Sequence, residues 1–88
     1  MELLTLKIID IEGKESVTSC DSVRLCCKES PYNKNGGNMG IRKGHIKSTI
    51  ALDVAPIKAY LNNELVLETA PLSGVALVEN NVILVLKD

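Results

Sequence analysis

The chain has 88 residues and a formal net charge of -1, from 10 basic and 11 acidic side chains. That length gives a single domain over residues 1–88 with no room for a second core. The even charge balance excludes the basic field that a nucleic-acid backbone requires, and with Tyr32 and Tyr60 as its only aromatics the chain offers no stacking platform for single strands. Hydrophobic residues make up 45% of the sequence, so the core must come from Leu, Ile and Val, and the β-branched members of that set favour strands. The opening MELLTLKIID, with Glu2 and Lys7, lacks the basic start and longer apolar run of a secretory signal. No stretch approaches the about 18 apolar residues of a membrane span. A soluble cytosolic chain is the expectation.

In chain order, Leu4–Ile9 reads as the first strand, and 10–14, with Gly13, as a turn. Glu15–Thr18 is a short second strand and Val23–Cys27 a third. From Glu29 to Gly40 runs the longest irregular stretch, ESPYNKNGGNMG, whose Pro, Asn and Gly residues disfavour regular structure. A further run spans Ser48–Leu52, and Pro56 cannot donate a ladder hydrogen bond at its own position. Two hairpins follow. Asn62-Asn63 divides IKAYLNNELVLE, and 79–81 divides SGVALVENNVILVL. Asn tolerates the positive φ that two-residue hairpin turns need. The last run, Val82–Leu86, is apolar at nearly every position, which predicts a strand buried on both faces or one closing the core. No stretch shows a 3.6-residue period with caps. The pattern predicts an all-β fold, a two-sheet β-sandwich of short, mostly antiparallel strands.

Catalytic constellations are scarce. His45 is the single histidine, and Cys20, Cys26 and Cys27 lie inside strand patterns where thiols pack as small hydrophobes. An odd cysteine count argues against a disulfide framework. Three Cys and one His match a common zinc ligand count, but adjacent Cys26-Cys27 forms no knuckle and no C-x-x-C occurs. Gly36, Gly37, Gly40 and Gly44 fit neither nucleotide-binding glycine pattern, and they read as turn and close-approach positions. Ser73-Gly74 lacks the nucleophile elbow and reads as a strand-opening turn. No catalytic residue, metal or cofactor is expected. A module of this kind works by contact.

The segment Gly37-Asn38-Met39-Gly40-Ile41-Arg42-Lys43-Gly44-His45 resembles the G-x-x-G-I/V-x-x-G-H pattern of the epsilon subunit of F-type ATP synthases. Ser73 to Val85 is similar to that family's later run, where Ser-Gly-Gly opens a strand, a turn with Asn follows and an apolar strand closes the sandwich. The opening LTLKIIDIEGKES resembles the family start, and the spacing of the three pieces agrees across the whole chain. Lys43 stands where the family usually has Pro, Ile46-Lys47-Ser48 where it has Ala-Pro-Leu, and Val75 replaces the second Gly.

The resemblance implies an N-terminal β-sandwich that binds the gamma subunit and the polar loops of the c-ring. It implies a non-enzymatic rotor-stalk role in coupling proton-driven rotation to ATP synthesis, at the cytoplasmic side of the cell membrane and without membrane insertion. Asn38 to Ile41, including Gly40, correspond to the c-ring-facing tip, and Gly44 and His45 to the gamma-facing edge. The family's helical hairpin has no counterpart before Asp88, so inhibition and ATP sensing through it are not expected of these residues. The alternative is a stand-alone regulatory or protein-interaction domain on the same fold.

Overall fold

A computed structural model describes residues 3–28 and 37–88. Among them are nine strands: β1 (Leu4–Ile9), β2 (Glu15–Cys20), β3 (Ser22–Cys27), β4 (Gly37–Arg42), β5 (Ser48–Ala55), β6 (Lys58–Leu61), β7 (Glu64–Glu68), β8 (Leu72–Glu79) and β9 (Val82–Lys87). The described residues are all-β. Hydrogen bonds join the strands in the order β2-β1-β9-β8-β5-β3-β6-β7, with β4 on β3. The two halves meet at the pair Cys27↔Leu52, reinforced by the Lys28 amide donating to Ala51 O at 2.9 Å. At the other side β2 comes up against β6, so the sheet nearly closes on itself. Every pairing is antiparallel except β1 with β9, which sets the first and last strands side by side.

The interior follows from period-two alternation. Leu4, Leu6 and Ile8 of β1 point inward, as do Val23 and Leu25 of β3, Ile50 and Leu52 of β5, Ala76 and Val78 of β8, and Ile83 and Val85 of β9. They form one apolar cluster with no buried polar or charged side chain among the described residues. Each fully buried Leu, Ile or Val contributes about 1.5–3 kcal/mol relative to exposure, and branched aliphatic side chains fill the space without aromatic rings.

The β1–β2 turn and both two-residue hairpins fall where the sequence predicts them. Asn62 and Asn63 have φ of 52° and 66°, Asn80 and Asn81 of 51° and 63°, and each pair closes a two-residue hairpin. In the β1–β2 turn, Asp10 Oδ1 accepts the amides of Glu12 and Lys14, both at 2.9 Å, while Gly13 takes φ 84°.

Three expectations are corrected and a fourth is narrowed to one of its two readings. Residues 37–40 are not part of the irregular stretch: they begin β4, which pairs with β3 along its length. Residues 29–36 of that stretch lie outside the described residues. The ladder needs only backbone groups, so glycine and asparagine enter the strand because β3 offers partners, and Met39 and Ile41 supply the inward alternation. β2 and β5 run on to Cys20 and Ala55, past the predicted ends. Ser73-Gly74 lies within β8, not in a turn. There Gly74, at φ 145°, lets its backbone meet β9, because a Cβ at that position would overlap the carbonyl oxygen of Leu86. Finally, of the two readings of Val82–Leu86, β9 takes the second: it closes the core and is not buried on both faces. Ile83 and Val85 face the core, while Val82 and Leu86 are 40% and 42% exposed.

Candidate functional site

The five residues singled out by the resemblance divide into three environments. Ile41 is fully buried in the core cluster. Its side chain therefore holds β4 to the interior and cannot reach a partner from that position, which corrects its reading as a contact residue. Asn38 and Gly40 alternate with it onto the exposed outer face of β4, a strand whose described pairing is with β3 alone. Gly44 and His45 lie in the turn that leads to β5. The Gly44 amide donates to Asn81 Oδ1 at 2.9 Å, the His45 amide to Arg42 O at 3.2 Å, and His45 Nδ1 sits 2.8 Å from Ile46 O. Gly44 takes φ 83°, as a tight turn between two strands requires. Lys47 Nζ pairs with Glu79 at 3.6 Å. Two contacts thus fix this turn to the tip of the β8–β9 hairpin, and Asn81 O also accepts the Thr5 amide at 2.9 Å.

From that tip an apolar surface spreads over the outer face of the sheet. Leu77 lies opposite Leu84, Val75 opposite Leu86, and Ile9 of β1 beside Leu86 on its other side. On β5, Ala51 faces Val75. Val75, Leu77, Val82 and Leu86 are each 36–42% exposed. A shallow groove of about 290 Å³ runs among Leu77, Glu79, Asn80, Val82 and Leu84. A contiguous apolar patch rimmed by charge is a recurrent mark of an interaction surface. The rim here carries the Lys7–Glu15 pair at 3.0 Å and the Lys47–Glu79 pair. The sequence leaves Val82–Leu86 as a strand either buried on both faces or closing the core, and neither reading names this outer surface. The signal was present, since an apolar run with no helix-forming segment to cover it leaves one face to solvent or to a partner.

The thiols are built into the fold. Cys20 and Cys27 are buried and Cys26 is half-buried, all three free of disulfides. The Cys27 thiol donates to Gly37 O at 3.3 Å, tying β3 to the start of β4. Burial pushes the Cys20 thiol above its ordinary pKa, and the neighbouring Asp21 carboxylate adds to the rise. A thiol held in its protonated form is a poor nucleophile and metal ligand. Among the described residues no three His, Cys, Asp or Glu side chains stand together as a metal site would need. No helix of the described residues is long and apolar enough to cross a membrane.

Compared with known proteins, the chain matches no family model and no curated protein.

Proposed function

We propose that this chain is a non-catalytic rotor-stalk module of the ATP synthase epsilon type. It binds a gamma subunit and the c-ring and helps couple proton-driven rotation to ATP synthesis, as a peripheral component at the cytoplasmic face of the membrane. One observation carries the reading. The Gly44-His45 turn, where the family resemblance is densest, is hydrogen-bonded to Asn81 at the tip of the hairpin whose outer face is apolar and exposed. The resembling segment and the sticky surface form one continuous edge, as a module that seats against an elongated partner requires. Asn38 and Gly40, on β4, offer a small polar face to the c-ring loops.

Amide NMR of the labelled chain with the gamma subunit of the same organism tests the assignment. The expected result is that Gly44, His45, Val75, Leu77 and Val82 shift together on complex formation, and that Gly44→Val and His45→Ala weaken the complex. Shifts confined to β7 or to the β1–β2 turn would move the gamma-binding edge elsewhere.

A further inference from the structure

The sequence contains two arginines, Arg24 and Arg42. Both line one open cavity of about 330 Å³ on the outer face of β3, β4 and β6, together with Ser22, Gly40, Tyr60 and Asn63. Strand register explains the convergence. Across the three strands one row reads Arg42, Ser22, Tyr60 and the next reads Gly40, Arg24, Lys58. Gly40 contributes no side chain beside Arg24, and a Cβ there would meet nothing within 4 Å, so the floor stays open. The Arg24 guanidinium lies 5.9 Å from the centre of the Tyr60 ring, a cation–π contact that holds it over the cavity.

Three features distinguish this cluster from an ordinary solvated face. Arg24 and Arg42 form no ion pair, and their guanidinium groups and the Tyr60 hydroxyl make no hydrogen bond among the described residues. Arg24 stands directly opposite Lys58, a like-charge pair that weakens a sheet. Glu68 flanks Lys58 on its far side without closing an ion pair, and the nearby Asp21 carboxylate is engaged by the Asn62 amide at 2.8 Å. In a chain of net charge -1, positive charge has been concentrated where it costs stability.

We propose that this cavity binds a phosphate group. Two guanidinium forks match the several oxygens and double charge of a phosphate, which one carboxylate would leave partly unused. Ser22, Tyr60 and Asn63 supply neutral donors on the same floor. The volume falls at the low end of small-ligand sites, enough for a phosphate and a small substituent. The site is separate from the apolar β8–β9 face; it shares Gly40 with the β4 face offered above to the c-ring loops, but its binding by the isolated chain does not depend on the rotor-stalk reading.

The test is amide NMR of the full chain titrated with inorganic phosphate and with pyrophosphate, against sodium chloride and sodium acetate at matched ionic strength. Saturable shifts at residues 22–24, 40–42 and 60 are expected. Arg24→Gln and Arg42→Gln should each weaken binding about tenfold or more, whereas Lys14→Gln, in the β1–β2 turn and outside the cavity lining, should leave it unchanged. Arg42→Gln alone suffices if Arg24→Gln loses its dispersed spectrum. A parallel arm sediments the chain with phosphatidic acid vesicles. Binding of the soluble anions assigns a free phosphate, and arginine-dependent binding of vesicles alone assigns a lipid headgroup. No saturable response in either arm, a response equalled by chloride or acetate, or equal binding by both arginine variants would overturn the proposal.

Discussion

The amide of Gly44 donates to the Oδ1 of Asn81 at 2.9 Å across 37 positions of sequence. This contact joins the β4–β5 turn to the β8–β9 hairpin, and Asn81 meanwhile holds φ 63° and accepts the Thr5 amide through its backbone oxygen. One side chain therefore serves hairpin geometry and long-range tethering at once. Asn81→Ala should cost about 1–2 kcal/mol, the sum of a lost hydrogen bond and a left-handed backbone that alanine tolerates poorly. Asn81→Asp keeps an acceptor oxygen and tolerates the same φ, and should cost clearly less. Urea unfolding of both variants checks this, and equal losses would show that the side-chain contact contributes nothing.

Gly74 is the most constrained glycine described. Its φ of 145° and the Leu86 carbonyl in the place of a Cβ leave no route for a side chain without moving β9. Gly74→Ala should destabilise by about 2–4 kcal/mol or prevent folding. Gly13→Ala meets nothing within 4 Å and should cost only about 1 kcal/mol for its positive φ. Thermal or denaturant unfolding of the pair separates strain from clash.

Stability should fall at alkaline pH in part through Cys20. The folded state holds the thiol proton more tightly than the unfolded chain, whose ordinary value is 9.0. The contribution is complete below that value and is lost as pH rises through it toward the raised folded value. Comparing wild type with Cys20→Ala from pH 7 to about pH 10 should show a shallower alkaline decline in the variant. Identical slopes would exclude the thiol as a source.

Leu77 tests whether the apolar outer face serves folding or binding. It is 36% exposed and pairs across strands with Leu84 and Thr49. Leu77→Gln should change unfolding free energy by less than about 1 kcal/mol while weakening binding of the gamma subunit. A loss of several kcal/mol in the isolated chain would instead make the residue part of the core.

Much of this was legible in the sequence because local chemistry decides it. The Asn62-Asn63 and Asn80-Asn81 hairpins and the alternating Leu4, Leu6 and Ile8 follow from turn geometry and period two alone. What escaped depends on partners distant in the chain. β4 exists because β3 pairs with it, although GNMG reads as loop. Gly74 looks like a turn residue until β9 is set against it. Apolarity in Val82–Leu86 cannot by itself distinguish a covered face from an exposed one. The arginine cavity was equally hidden, since only the register of three strands brings residues 24, 42 and 60 together.

The most direct measurement is co-purification of this chain with the gamma subunit of the same organism after co-expression. The rotor-stalk account predicts a stoichiometric complex that survives gel filtration and is weakened by Leu77→Gln. Two folded proteins that elute separately would contradict it, and the apolar edge would then have to serve another partner.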